Sequence, residues 1–266
     1  MARLRRSKDP AAGEGFFSPA PPRVLAHRGL AIEAPENTLL AFAKAIAVGV
    51  THVETDVHVS ADGVAMISHD PDLKRVAGRA ASVAHLTSHE LRRIDLGHGQ
   101  GYSSLADALD AFPDTRFNID IKIEGAVTPA VEAIRAANAI TRVLIGSFHP
   151  ARRLRAVRML PGVATSVSSR GAVASVAAAS AGNVALLRRI LRDVQAVQLP
   201  DSVLGMKPFA PGAVRAFHAA GVEVHAWTIN DAASMEKLLD AGVDGIVTDR
   251  ADLAMLVVKA RASKAS

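Results

Sequence analysis

Cysteine is absent from all 266 residues of the chain. Its absence excludes disulfide bonds, thiolate zinc sites and cysteine nucleophiles, so a bound metal would have to use oxygen or imidazole ligands. Aromatic residues make up only 4% of the sequence, too few to suggest a surface that stacks nucleic-acid bases. The formal charge of +5 is modest and accompanies no nucleic-acid-binding motif, so it favours at most an anionic small-molecule substrate.

Long hydrophobic runs are also absent. The least polar stretch, Gly171 to Leu187, is rich in alanine and is interrupted by serines and Asn183, which is typical of a packed helix. Residues 1–22 begin with basic side chains but pass directly into Lys, Asp, Pro and Gly, without the apolar core of a secretory signal. We therefore expect a disordered basic arm over residues 1–22, a cytoplasmic protein and no stable membrane insertion.

The hydrophobic content of 49% is enough to bury a substantial core, and residues 23–262 are predicted to form a single domain. Short apolar strands alternate there with helices, giving eight strand and helix units if Val64 to Ser68 is counted as an extension of the second strand. This alternation predicts an α/β fold, a (β/α)8 TIM barrel, with residues 71–103 as a small insertion after the second strand. A doubly wound sheet is the alternative, but the first strand is not followed by its Gly-rich phosphate loop.

Two acidic residues on one predicted strand, Glu54 and Asp56, are the first indication of a functional site. In an extended strand, residues two apart point to the same face, so these carboxylates lie side by side. Neighbouring buried carboxylates repel each other unless a cation lies between them, and their oxygens suit Ca²⁺ or Mg²⁺. The alternative is a salt-bridged or solvated pair. Asp62-Gly63 then turns the chain, and the returning strand ends at His69, which places an imidazole near the candidate metal.

Further polar side chains follow or lie on predicted strands. His27 and Arg28 come directly after the first strand, and Asp120 and Lys122 share one face of the strand Arg116 to Ile123. Because the active site of a TIM barrel lies at the carboxyl ends of its strands, these side chains are expected to meet there.

Seven short motifs occur along the chain in a fixed order: HRG with PENT five residues on, ETDV, DG, HD, NIDIK, WTIN and GVDGIVTDR. Together they resemble the glycerophosphodiester phosphodiesterase family, from Val24 to about Leu253. The resemblance implies a TIM barrel that hydrolyses glycerophosphodiesters to sn-glycerol 3-phosphate and an alcohol with one divalent cation, Ca²⁺ or Mg²⁺. The implied partner is the small-molecule glycerophosphodiester, with no nucleic acid.

The resemblance also assigns roles to individual residues. Glu54, Asp56 and Asp120 match the metal ligands of the family, whereas His27 matches its catalytic base and His69 its catalytic acid. A pKa near neutrality suits an imidazole to both proton transfers. Whether water or the glycerol 2-hydroxyl is the nucleophile stays open at this point.

Four more residues are candidates for substrate binding. Arg28 and Lys122 match phosphate-contacting positions of the family, and the alternative for them is a rim salt bridge to Glu36 or Asp56. Glu36 either holds Arg28 or contacts substrate glycerol, and Trp227 either walls the glycerol pocket or packs in the core.

The chain departs from the family pattern at two places. Asp120 stands where the family usually has Glu, and Tyr102-Ser103-Ser104-Leu105 replaces a Pro-Thr-Leu segment, a change expected only to alter a helix start. Asp249 and Arg250 are predicted to form a salt bridge within a loop.

Two other functions remain possible from the sequence. One is lysophospholipase D-type hydrolysis of lysophospholipids, for which Phe16, Phe17 and Phe209 would supply an apolar approach to the active face. The other is a catalytically silent phosphate-binding barrel.

Overall fold

The structure is a computed structural model that describes residues 15–265. Strands and helices alternate along this part of the chain. The strands are β1 (Arg23–His27), β2 (His52–Val59), β3 (Ala65–Ile67), β4 (Arg116–Ile121), β5 (Val143–Gly146), β6 (Ala164–Thr165), β7 (Ala196–Leu199), β8 (Glu223–Ala226) and β9 (Gly245–Thr248). The helices are α1 (Leu39–Ala47), α2 (Lys74–Ala77), α3 (Ser88–Arg92), α4 (Leu105–Ala111), α5 (Val127–Ala136), α6 (Pro150–Met159), α7 (Ser169–Ser180), α8 (Val184–Ile190), α9 (Pro211–Ala220), α10 (Ala232–Asp240) and α11 (Ala251–Ala265).

Eight of these strands pair in parallel, in the order β6-β5-β4-β2-β1-β9-β8-β7. The two end strands meet, because Ser166 and Ala196 form a parallel bridge and the Gln195 N–H donates to the Thr165 carbonyl at 3.0 Å. The sheet is therefore a nearly closed barrel, which confirms the predicted (β/α)8 TIM barrel over the doubly wound alternative. β3 pairs antiparallel with β2 and extends the barrel outward as a hairpin, as the sequence predicted.

Side chains on the barrel strands separate into an outer and an inner set. Val53, Val57 and Ile119 face outward into the apolar layer between strands and helices. Glu54 and Asp56 alternate with them and face the barrel interior, because successive residues of a strand point to opposite faces. None of the helices formed by residues 15–265 has an apolar stretch long enough to cross a membrane.

Phe16 closes the barrel at the amino-terminal ends of the strands. Its side chain is buried and meets the His52 ring edge-on, with ring centroids 5.1 Å apart. Its N–H donates to the Thr141 carbonyl at 2.8 Å, and its own carbonyl accepts from His52 Nε2 at 2.6 Å. Inside the barrel it belongs to one apolar cluster with Leu25, Leu144, Ala196 and Val247.

The position of Phe16 shows that two expectations were wrong. The disordered arm was predicted over residues 1–22. Residues 1–14 lie outside the described part of the chain, whereas Gly15 and Phe16 contact the barrel and Phe16 is buried in it. Phe16 and Phe17 also do not form an apolar approach to the active face, because they lie at the opposite end of the barrel. Phe209 is buried in the helix layer.

Residues 71–103 form the predicted insertion and contain α2 and α3. The insertion has an apolar cluster of its own, centred on Met66, Leu73, Leu91 and Tyr102, which packs it against the β2-β3 hairpin. The longer helix of the insertion is α3. Its start is fixed by a reciprocal capping box between Thr87 and Glu90.

Candidate active site

The predicted site residues meet at the carboxyl ends of the barrel strands. They come from β2 and β4, from the end of β1 and the loop after it, and from the loops after β3, β4 and β8. Eight of the nine line one open cavity of about 380 Å³, namely His27, Arg28, Glu54, Asp56, His69, Asp120, Lys122 and Trp227. Glu36 is the exception, since it lies beside Arg28 and lines an adjoining cavity.

Asp56 is the most enclosed charge of the cavity, and three groups surround it. Lys122 Nζ lies 2.7 Å from Asp56 Oδ1, and Arg28 Nε lies 3.4 Å from Asp56 Oδ2. Asn37 Nδ2 donates to the same Oδ2 at 3.0 Å. Burial alone would favour the neutral acid, but Lys122, Arg28 and Asn37 outweigh it and hold the pKa of Asp56 below its ordinary value.

The pKa values of Glu54 and Asp120 are shifted in the opposite direction, upward. Burial, followed by repulsion from Asp56, raises the pKa of Glu54 above its ordinary value. Burial also raises the pKa of Asp120, although Lys122 Nζ lies 2.8 Å from Asp120 Oδ2 and opposes the shift. Asp56 and Asp120 stand in register on neighbouring strands, so the three carboxylates form one acidic group that Lys122 compensates in part.

The donor chemistry of this group fits a divalent cation. Glu54, Asp56 and Asp120 offer carboxylate oxygens, the ligands that Ca²⁺ and Mg²⁺ prefer, and a cation would relieve the repulsion from Asp56 that adds to burial in raising the pKa of Glu54. In the side-chain arrangement of residues 15–265, no three Asp, Glu or His side chains converge on one point as a ligand set would. Lys122 Nζ instead bridges Asp56 and Asp120.

His27 is held by a carboxylate on one ring nitrogen. Its Nδ1 lies 2.6 Å from Asp249 Oδ1, and Asn230 Nδ2 donates to the other Asp249 oxygen at 2.7 Å. Since an ionised carboxylate only accepts hydrogen bonds, Nδ1 carries the proton, and Nε2, which lies 3.9 Å from Glu54 Oε2, is left to exchange one. Burial disfavours the imidazolium, but the Asp249 hydrogen bond and the Glu54 charge outweigh burial and raise the pKa of His27.

His69 is held in the same way from the other side of the cavity. Its Nδ1 lies 2.7 Å from Asp70 Oδ1. Arg75 of α2 donates from Nε to Asp70 Oδ2 at 2.6 Å and from Nη2 to Glu36 Oε1 at 2.6 Å. Glu36 in turn accepts from Arg28 Nη1 at 3.0 Å. A continuous chain of charged groups thus connects His69 to the phosphate-binding candidate Arg28 through the insertion.

Asp249 is a site residue that the sequence reasoning missed. The predicted salt bridge between Asp249 and Arg250 is wrong, because Asp249 bonds to His27 while Arg250 pairs with Asp252 at 3.0 and 2.9 Å. A signal was present, since Asp249 directly follows a buried strand, the position that identified His27.

The loop after β1 holds its polar groups in a strained backbone. Arg28 and Asn37 both have left-handed φ angles, 56° and 57°. Gly29 between them could not be alanine, because an added Cβ would lie 2.7 Å from the backbone of Ala41. Asn37 does not cap α1, a role taken by Thr38, and instead bridges Asp56 and Thr55. This geometry points Arg28 into the cavity.

One wall of the cavity is apolar. Trp227 meets Phe148 edge-on, with ring centroids 6.0 Å apart, and Lys122 Nζ lies 6.0 Å from the centre of the Phe148 ring. Phe148 is 58% exposed and Leu204 81% exposed, both at the rim. Trp227 lines the cavity and also packs against the apolar cluster inside the barrel, so its role as a wall of a glycerol pocket stays a prediction.

Comparisons with known proteins identify the family of this chain. A model described as the Glycerophosphoryl diester phosphodiesterase family matches residues 27–253. Over 239 residues the chain is 44% identical to the "Probable glycerophosphodiester phosphodiesterase 2" of Mycobacterium tuberculosis, covering 89% of this chain and 90% of that protein.

Solved structures share the fold. A putative glycerophosphoryl diester phosphodiesterase from Silicibacter pomeroyi superposes with a TM-score of 0.77 at 23% identity, covering 94% of this chain and 96% of that one. An Oleispira antarctica phosphodiesterase, solved in complex with the product sn-glycerol-3-phosphate, has a TM-score of 0.75 at 25% identity and covers 90% of this chain and 97% of its own. Because the family model matches residues 27–253, most of the chain, and a relative is 44% identical over nearly its whole length, this chain belongs to the glycerophosphoryl diester phosphodiesterase family and is a phosphodiester hydrolase.

Proposed function

We propose that this enzyme hydrolyses glycerophosphodiesters to sn-glycerol 3-phosphate and an alcohol, and that it uses one divalent cation. The observation that carries the proposal is the pair of carboxylate-held histidines, His27 and His69, lining one cavity with Arg28 and Lys122. The Oleispira antarctica enzyme of the same fold was solved with sn-glycerol-3-phosphate, which supports this product.

The two histidines divide the proton transfers. His27 is the base: Asp249 keeps the proton on Nδ1, so Nε2 accepts the proton of the attacking hydroxyl. His69 is the acid: Asp70 accepts from Nδ1, so the proton on Nε2 of the imidazolium is the one delivered to the leaving alcohol. Each carboxylate also stabilises the positive charge that its histidine carries during the reaction.

A phosphodiester resists attack because its oxygens are anionic. Arg28 and Lys122 bring positive charge to the place where negative charge grows in the transition state. We infer that Glu54, Asp56 and Asp120 hold the divalent cation, and when bound it would neutralise further phosphoryl charge. Lys122 would then give up its contacts to Asp56 and Asp120 and turn to the phosphate.

Phosphorus NMR of purified enzyme with glycerophosphocholine tests the proposal. We expect the diester signal to be replaced by that of sn-glycerol 3-phosphate. A 1,2-cyclic phosphate early in the time course would identify the glycerol 2-hydroxyl as the nucleophile, and its absence throughout favours water. Appearance of phosphocholine in place of glycerol phosphate would contradict the assigned cleavage site.

A second candidate substrate is a lysophospholipid, in which the glycerol carries an acyl chain. The observation in its favour is the apolar wall of Phe148, Trp227 and Leu204, whose rim residues would accept an acyl chain leaving the cavity. Hydrolysis rates on glycerophosphocholine and lysophosphatidylcholine distinguish the two. If the wall binds an acyl chain, Leu204→Ser should slow the second reaction and leave the first unchanged.

A catalytically silent barrel is not supported. Both histidines keep their carboxylate partners, and the cationic side chains that would neutralise phosphate lie in the same cavity.

A further inference from the structure

A second cavity, of about 230 Å³, lies between the insertion and His69. Its lining includes the polar side chains His69, Asp70 and Arg75 and the apolar or aromatic side chains Ile67, Val76 and Tyr102. His27 lines the main cavity but not this one. His69 therefore stands between the two cavities, and a group bonded to an oxygen that His69 protonates can extend into the smaller one.

The charges around this side cavity are balanced. Arg75 Nη2 lies 2.6 Å from Glu36 Oε1 and Arg75 Nε lies 2.6 Å from Asp70 Oδ2. Glu36 is paired with Arg28 as well, at 3.0 Å. A cationic ligand would have to displace Arg75 to reach either carboxylate, and an anionic ligand would find Arg75 already bonded. The cavity therefore suits a neutral ligand.

Tyr102 provides a buried hydroxyl whose nearest polar neighbour is Ser68. The residue is 4% exposed, and among the described residues its hydroxyl has no hydrogen bond of acceptable geometry, although it lies beside the Ser68 hydroxyl. Ser68 directs its own hydroxyl proton to the Asp70 carbonyl at 2.8 Å. A buried hydroxyl that is left unpaired is costly, so the Tyr102 group is a ready donor or acceptor for a ligand hydroxyl.

We propose that this side cavity binds the leaving alcohol of the diester, and that the alcohol it takes is a short neutral polyol such as glycerol. The inference rests on the proposed function, with His69 as the acid. The polyol's carbon skeleton lies on Ile67 and Val76, and a hydroxyl pairs with Tyr102. The preferred substrate is then glycerophosphoglycerol, in which the phosphate joins two glycerols, over glycerophosphocholine or glycerophosphoethanolamine.

The test compares kcat/KM on those three diesters for the parent, Tyr102→Phe and Ser82→Ala. Tyr102→Phe keeps the ring and removes the hydroxyl. Ser82→Ala removes a hydroxyl of the same insertion that bonds only to the exposed Pro71 carbonyl in the described structure. We expect the parent to prefer glycerophosphoglycerol. Tyr102→Phe should lower kcat/KM on that substrate about tenfold, which corresponds to the loss of one buried hydrogen bond. On the other two diesters, Tyr102→Phe should change kcat/KM less than twofold. Ser82→Ala should have the kcat/KM of the parent on all three diesters.

Several results overturn the inference. If the parent favours the choline or ethanolamine diester, or if Tyr102→Phe lowers all three reactions equally, the side cavity does not select a polyol, while diester hydrolysis stands. If no diester is hydrolysed, the proposed function fails first. Calorimetric titration with glycerophosphoglycerol then decides the inference, because equal binding by the parent and Tyr102→Phe would refute it.

Discussion

At the residue scale, the two histidines of the cavity have the same construction. Each ring bonds through Nδ1 to a carboxylate, Asp249 for His27 and Asp70 for His69. The sequence places one of these acids directly after its histidine and the other 222 positions away. The His69–Asp70 pair joins neighbouring residues and is therefore visible in the sequence. The His27–Asp249 pair forms only because β1 and β9 are neighbours in the closed barrel.

Asp249 is expected to position His27. Asp249→Asn should lower kcat about 10- to 100-fold with little change in KM, because the ring then loses its fixed tautomer and the charge that stabilises the imidazolium. In the His27→Ala variant, adding Asp249→Asn should not lower kcat any further. Asp252→Asn, in the same loop but paired with Arg250, is the control. Independent, multiplying losses in the double variant would show that Asp249 acts in some other way.

The roles of the two histidines are separable by the leaving group. His27→Ala and His69→Ala should each lower turnover of glycerophosphocholine about a hundredfold or more, as loss of a general base or acid commonly does. With an activated aryl leaving group, which departs without a proton, His69→Ala should recover much of its activity and His27→Ala should not. Equal defects on both substrates would refute the assignment.

Asp120 is predicted to be a metal ligand although the family usually has Glu there. Asp120→Ala should weaken Ca²⁺ or Mg²⁺ binding at least about tenfold, measured by calorimetry without substrate, because one carboxylate is lost from the set. Asp120→Glu should keep activity and shift the preference toward Ca²⁺, which accepts more protein oxygens. The exposed Asp110→Ala is the control. Unchanged binding by Asp120→Ala would remove Asp120 from the ligand set.

At the scale of elements, the insertion is part of the active site through α2. Arg75 joins Asp70, the partner of His69, to Glu36, the partner of Arg28. The sequence predicted residues 71–103 as an insertion, but no pattern indicated that α2 contacts the site. That contact depends on the apolar cluster that folds the insertion back on the β2-β3 hairpin.

Removal of the Arg75 side chain should therefore impair the protonation of the leaving alcohol by His69. Arg75→Ala is expected to lower kcat on glycerophosphocholine about 5- to 20-fold, because Asp70 loses the bond that orients it toward His69. On the activated aryl substrate the loss should be within twofold. Lys74→Ala, an exposed neighbour on the same helix, is the control. A uniform loss on both substrates would indicate a general loosening of the insertion instead.

At the scale of the whole molecule, the barrel has a pH-sensitive contact at the amino-terminal ends of its strands. His52 is fully buried beneath Phe16, where its Nε2 donates to the Phe16 carbonyl at 2.6 Å and its Nδ1 lies 2.9 Å from the Thr51 hydroxyl. Burial lowers the pKa of His52 from 6.5 to about 3. The folded protein therefore holds the imidazole neutral at a pH where the unfolded chain protonates it.

This contribution to stability is fully present above pH 6.5 and is lost as the pH falls from about 6.5 toward about 3. At pH 5 the loss amounts to about 2 kcal/mol of the free energy of unfolding. Denaturant unfolding at pH 7 and pH 5 should show this drop in the parent. His52→Gln, which cannot titrate, should show a drop smaller by that amount, and the exposed His89→Gln should behave as the parent. The same pH dependence in parent and His52→Gln would contradict the assignment.

Local patterns in the sequence determined a large part of this protein. Alternation of apolar strands with helices gave the barrel, because each strand and helix forms from contacts within a few residues of the chain. The period of two along β2 and β4 placed Glu54, Asp56, Asp120 and Lys122 on inward faces for the same reason. Strand ends identified His27 and Arg28.

Only the tertiary structure decided which of these groups meet. Asp249 reaches His27 because β9 pairs with β1. Phe16 plugs the barrel because eight strands enclose a space of its size. Tyr102, which in the sequence is a small departure before α4, lines a cavity because the insertion folds over His69. Each contact joins residues far apart in the chain, and its partner is set by strand order and packing, which no local pattern of residues encodes.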